Sequence, residues 1–181
     1  MLPTTILFSL AAAIAPVAAD GAAIIESLGT LSSSSAELNN TVADWSGELF
    51  DALPIVTQSI GLLTDTKEAA GVANESEPLT VEEAATLAGA MQGLITDIEN
   101  TLTTLEEAKP KFDELMMGPV ILLNLKMQKK ETDTFSAAVL EKIPEGLRDV
   151  AQGMVDEVAG LFDKAIEAYG IEFELPFDLP V

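Results

Sequence analysis

Apolar residues recur at alternating steps of three and four along most of this chain. That spacing restricts it to helices that each bury one face. The first run is Ile24, Leu28, Leu31, Leu38, Val42, Trp45 and Leu49, with Ser35 in the one place that lacks an apolar side chain. Leu53, Val56, Ile60 and Leu63 continue it nearly in phase. Gly47 and Pro54 predict a break between the two helices, because proline donates no N–H and clashes with the preceding turn. Residues 64–78, with Gly71, Asn74 and Pro78, read as a loop. Thr80 and Glu83 then form a capping box ahead of a helix whose apolar face runs from Ala84 through Leu87, Met91, Leu94, Ile98 and Leu102 to Leu105. That helix is expected to end before Pro110.

The segment Lys109–Leu140 is the most apolar part of the pattern. Gly118-Pro119 reads as a helix start, since proline at the first helical position loses no needed N–H. Val120, Ile121, Leu122, Leu123, Leu125 and Met127 then cover almost every side of two turns. A helix apolar all round must be wrapped by other helices or by a ligand. Ile143-Pro144-Glu145-Gly146 marks a turn, and a last amphipathic helix runs from Leu147 to Tyr169, with Gly170 as its C-cap. The expected architecture is all-α: one domain over residues 20–170, a bundle of about five amphipathic helices around a central apolar helix. Residues 171–181 alternate apolar and acidic side chains and read as an extended tail.

The first 19 residues differ from the rest. A short apolar run from Ile6 to Ala15 and the small residues Val17-Ala18-Ala19 read as a secretory signal peptide cleaved before Asp20. The run is too short to span a membrane comfortably, so no transmembrane segment is expected in the mature chain. Asn39-Asn40-Thr41 and Asn74-Glu75-Ser76 are glycosylation sequons and fit secretion, making Asn39 and Asn74 the candidate glycan sites. The chain has no cysteine, so its core must hold it without disulfides, which is feasible for 181 residues. A net charge of −21 excludes nucleic acid, for no basic stripe exists to neutralise phosphates. It also disfavours anionic membrane surfaces.

Catalysis lacks its usual parts. Without histidine or cysteine, the commonest general base, transition-metal ligand and thiol nucleophile are all missing. The serines have no nucleophile-elbow glycines, and no loop spaces oxygen ligands for calcium. The chain therefore reads as a non-enzyme with no cofactor and no metal site. Acidic pairs such as Glu82-Glu83 and Asp156-Glu157 lie on polar helix faces. Seven of the nine basic residues fall in residues 109–148 against six acidic ones, so this window is nearly neutral.

The segment KPKFDELMMGPVILLNLKMQKKETDTFSAAVLEKIPEGL, with DWSGELFDALPI (residues 44–55) and LFDKAIEAYG (161–170), resembles the fungal hydrophobic surface-binding protein A family, which includes cell-wall galactomannoproteins. The resemblance extends from about Ala22 to Tyr169. It implies a secreted or cell-wall protein whose partner is a fatty-acyl lipid held between the helices or an apolar surface, with cell-wall polysaccharide as a further partner. A structural, antigenic wall mannoprotein without a specific ligand is the alternative. No residue motif comes with the resemblance. From the apolar pattern we expect Val120, Leu123 and Met127, facing Met91, Leu94 and Ile98 on one side and Met154, Val158 and Leu161 on the other, to line a lipid-accommodating interior. The deformable methionines suit that task.

Overall fold

The computed structural model describes residues 19–170. The expected signal peptide, except for its last residue Ala19, and the C-terminal tail lie outside the described residues. Five long helices make up the fold: α1 (Ala19–Asp44), α2 (Leu53–Glu75), α3 (Val81–Glu114), α4 (Gly118–Lys142) and α5 (Arg148–Tyr169). Single 3-10 turns at Phe50–Ala52 and Glu145–Leu147 introduce α2 and α5, and no strand occurs among the described residues. The all-α bundle of about five helices is thus what the apolar spacing dictates.

The helices close into a ring. α1 packs on α2 and α3, α3 on α5, α5 on α4, and α4 back on α2, while α3 and α4 are consecutive without being ring neighbours. Neighbours in sequence run in opposite directions, so α2 and α4 lie side by side and parallel. Two details of α4 correct the sequence reading. It forms one wall of the ring, and its first turns are not wrapped on all sides. Ile121 and Leu125 are buried, but Val120, Leu123 and Met127 are exposed. The reason is that the ring needs only one face of each helix, here continued by Gln128, Thr132, Phe135 and Val139.

Helix ends follow local chemistry, with two exceptions. Thr80 caps α3 in a complete capping box: its hydroxyl accepts from the Glu83 N–H at 3.2 Å, and the Glu83 carboxylate accepts from the Thr80 N–H at 2.9 Å. Pro54 and Pro119 sit in the first turns of α2 and α4. However, α2 runs on to Glu75, through most of the stretch expected to be loop. Thr66, Ala69, Ala70 and Ala73 form a buried helical stripe there, and alanine favours helix strongly enough to absorb Gly71. Similarly, α3 continues through Pro110 to Glu114. Proline inside a helix costs about 3 kcal/mol or more, and packing just beyond it opposes that cost. Phe112 is fully buried with its ring 4.4 Å from that of Trp45, and the Lys111 ammonium donates to the Trp45 carbonyl at 2.6 Å.

A second mismatch parallels that on α4. Leu49, Leu53 and Ile60 continue the apolar spacing of α1 but are exposed, while Leu63 of the same run is buried together with Ile55 and Thr66, the side that α2 turns inward. Between α3 and α4 the chain reverses through a Schellman turn: the Met117 N–H donates to the Phe112 carbonyl and the Met116 N–H to the Asp113 carbonyl, at 2.8 and 2.9 Å. The left-handed position of this turn usually holds glycine. Here it is Met116, at φ 56°, a conformation that costs an L-residue about 1–2 kcal/mol.

Candidate apolar binding site

The ring leaves two cavities. One, of about 50 Å³, lies at mid-height, bordered by Leu31 and Leu38 of α1, Leu62 of α2, Leu94 and Ile98 of α3, Leu125 of α4 and Phe162 of α5. The other, of about 150 Å³, lies towards the opposite end from the Schellman turn. Ala84, Ala88 and Met91 of α3, Val139 of α4, Ile143 just after α4, and Ala151 and Met154 of α5 border it. Its alanines explain the space: Ala84 and Ala88 of α3 and Ala151 of α5 stop short of the gap, which Leu87, Met91 and Met154 border without filling.

The mid-height cavity has a polar belt. Ser35, the gap in the α1 stripe, is buried with its Oγ 2.9 Å from Thr101 Oγ1. Across the cavity Gln128 donates through Nε2 to Thr66 Oγ1 at 2.7 Å, and Thr66 donates onward to the Leu62 carbonyl. Gln128 is 8 % exposed and its Oε1 has no partner. A buried acceptor left unpaired costs about 1–3 kcal/mol, so this oxygen favours any ligand that brings an O–H or N–H to it.

The expected lining residues divide between these cavities and the surface. Leu94 and Ile98 border the first, Met91 and Met154 the second. Val158 is buried and Leu161 half-buried in the packed core. Val120, Leu123 and Met127 were expected to face inward and instead point to the surface, 53 %, 60 % and 42 % exposed, for the reason given above. Sequence reasoning missed Gln128, Thr66 and Thr101. The one available signal was Ser35, a polar residue at a core position of the stripe.

The nearly neutral basic window breaks up into separate local contacts. Lys129 lies 3.3 Å from Asp133, as its helical spacing predicts, and 3.7 Å from Asp163. Lys111 and Lys142 donate to backbone carbonyls. A shallow recess collects Lys126, Lys129 and Lys130 beside Asn74. Of the two sequons, Asn74 is exposed, whereas Asn39 accepts from Thr104 Oγ1 at 2.6 Å across the α1–α3 contact. Among the described residues no acidic cluster could hold a metal ion, and no helix is long and apolar enough to cross a membrane.

Five helices in a ring, with two small apolar cavities and a buried polar belt at one of them, define an all-helical module with apolar recesses between its helices. The comparisons agree and go further. Residues 21–141 match the model of the family described as hydrophobic surface binding protein A, and the chain belongs to that family. It is 23 % identical over 119 residues to cell wall mannoprotein 1 of Aspergillus flavus, an alignment covering 66 % of this chain and 44 % of the relative. The chain thus matches less than half the length of that relative. Ligand binding domain 1 of the Penicillium marneffei MP1 protein, complexed with arachidonic acids, superposes with a TM-score of 0.80 at 26 % identity, covering 84 % of this chain and 99 % of that domain. The structure of AFMP4P in complex with palmitic acid has the same fold, with a TM-score of 0.80 at 23 % identity over 83 % of this chain and 99 % of the other.

Proposed function

We propose that this chain is an extracellular, non-catalytic binder of fatty-acyl lipid, which holds the acyl chain in the interior of its helical ring. The observation that carries the reading is the pair of apolar cavities, one of them with an unpartnered buried acceptor at Gln128, in a fold shared with a domain complexed with arachidonic acids. Burying methylenes at roughly 0.8 kcal/mol each makes a long acyl chain worth on the order of 10 kcal/mol gross. Ordering and association costs reduce that figure. In this mode the acyl chain takes the apolar walls, and the protonated or hydrogen-bonding end of the ligand meets Gln128 Oε1.

The two cavities, about 50 and 150 Å³, are smaller than the roughly 300–1,000 Å³ of preformed small-molecule sites. Loading therefore needs the ring to widen. Met91 and Met154 can re-pack without strain because thioethers are flexible, and α2 and α4 can part at their seam. Secretion through a leader ending at Ala19, residence in the cell wall and a glycan at Asn74 in preference to Asn39 belong to the same reading, supported by the relatives named as cell wall mannoproteins and by the exposure of Asn74. Displacement of a fluorescent fatty acid by palmitic acid tests the function. Saturable displacement is expected, and its absence from delipidated protein would overturn the proposal.

A further inference from the structure

Most of the exposed large apolar residues gather in one region, Val81 and Val150 at the rim of the larger cavity being the exceptions. Leu53 and Ile60 on α2, and Val120, Leu123 and Met127 on α4, keep core-like spacing yet are exposed. α2 and α4 are parallel ring neighbours, and the Gln128–Thr66 bond sets their register, so these side chains flank one seam at similar height. Beyond the seam, at the same end, Leu49, Phe50 and Met116 are exposed as well, Phe50 at 82 % and Met116 at 86 %. The Trp45–Phe112 contact ties the two connections that carry them. Met116 is presented from a left-handed backbone that glycine would hold without strain.

The charge distribution singles out the same surface. No charged residue occurs from Ala52 to Thr64 or from Leu115 to Leu125, in a chain with 30 acidic and 9 basic residues. The first charge on α4 is Lys126, next to Met127 at the border of the patch, followed by Lys129 and Lys130. The seam is also the outer side of the mid-height cavity, since Ser59 and Leu62 of α2 and Asn124 and Leu125 of α4 border that cavity from within. An exposed apolar surface is therefore continuous with a cavity wall across one helix–helix seam.

We propose that the α2–α4 face is a docking surface for a neutral lipid phase, and that the seam beneath it is the gate through which a fatty acid passes directly between that phase and the interior. A seam free of charge on α2 through Thr64 and on α4 through Leu125 suits a neutral apolar phase on this strongly acidic protein. The exposed acids Glu48, Asp51 and Glu114 stand only at the end that carries Leu49, Phe50 and Met116. A second copy would bring another net charge of −21 against the first and be repelled. The lysines at the border give a fatty-acid carboxylate at the phase boundary its least repulsive neighbours. This inference rests on the proposed lipid binding for the gate, but the docking face stands without it.

The test uses the full chain and uncharged phosphatidylcholine vesicles carrying a fluorescent fatty acid. The Leu53→Gln/Leu123→Gln variant changes two exposed positions to a helix-compatible residue, and circular dichroism checks its fold. Partition onto vesicles and the rate of fatty-acid transfer should each fall at least about tenfold, since each leucine contributes apolar area only at the interface. Affinity for monomeric fatty acid in solution should stay within about twofold of the wild type, because the cavities are untouched. Met116→Gly, which relieves the left-handed strain, should lower vesicle partition while raising the melting temperature. Unchanged partition and transfer in both variants would overturn the proposal, as would sedimentation showing that the face joins two copies in solution. If wild type partitions through this face yet takes up no fatty acid, the docking face survives and the interior-binding reading fails. If it takes up fatty acid without partitioning, the reverse holds.

Discussion

Replacing Ala151 by leucine tests whether the larger cavity is empty space. Ala151 lies on α5, half-buried against the core, and borders the 150 Å³ cavity. Leucine adds three carbons there and is nearly as good a helix former as alanine. If those carbons enter a void, burial at roughly 0.8 kcal/mol each gives about 2.4 kcal/mol. Loss of rotamer freedom removes about 0.5–1 kcal/mol, leaving a net gain of about 1.5 kcal/mol. For a domain of this size that corresponds to a rise in melting temperature of roughly 3–6 °C. Thermal unfolding of delipidated protein, followed by far-ultraviolet circular dichroism, measures it. The same leucine should weaken palmitic acid binding, because the ligand must now displace it. In a filled site the substitution would instead overpack and destabilise by about 1–3 kcal/mol. A lowered melting temperature would thus refute the void, and with it the argument that the alanines of α3 and α5 hold space for a ligand.

Gln128→Leu removes the unpaired Oε1 along with its bond to Thr66; stability should hold or rise by up to about 1 kcal/mol, while fatty-acid affinity in the displacement assay should fall about tenfold. Thr80→Ala deletes the α3 N-cap and should cost about 1 kcal/mol in denaturant titration. The same bonds from the Thr80 side chain and backbone hold the Glu83 carboxyl below its ordinary range, so their contribution is present above the unfolded carboxylate pKa and lost as pH falls through the folded one. Tyr169 titrates well above a free phenol, chiefly because it is buried and secondarily because of Asp113 and Glu106, and it donates to the Leu105 carbonyl at 2.5 Å. The folded state therefore keeps a proton that the unfolded chain releases, and stability should decline as pH rises above about 10. In ultraviolet titration, phenolate absorbance should appear together with unfolding. Met116→Gly should raise stability by about 1 kcal/mol in the same denaturant titration, by relieving its left-handed backbone.

Much of the fold was legible because helix caps and apolar spacing are local properties. The Thr80–Glu83 box, the prolines opening α2 and α4, and the buried faces of α1 and α3 all follow from residues within a turn or two of one another. What spacing could not reveal was which of two apolar faces a helix turns inward. On α4, Val120–Leu123–Met127 and Ile121–Leu125–Gln128 compete for the interior, and the second set wins because it continues into Thr132, Phe135 and Val139, the one face the ring needs. On α2 the alanine-rich stripe around Ala69 and Ala73 wins over Leu53 and Ile60 for the same kind of reason. The persistence of α3 through Pro110 likewise depends on a distant partner, Trp45. The cavities were hidden because each is bordered by side chains of several helices that meet only after folding, five at mid-height and α3, α4 and α5 at the larger one. Where local rules failed, exposed apolar residues remained, and the proposed docking face consists of them.

Native mass spectrometry of the secreted protein, before and after mild delipidation, tests the central claim most directly. The account predicts that material as secreted carries discrete adducts of fatty-acid mass, that delipidation removes them, and that added palmitic acid restores them in a fixed stoichiometry. A single unliganded species throughout, with no adduct regained on adding fatty acid, would contradict interior binding.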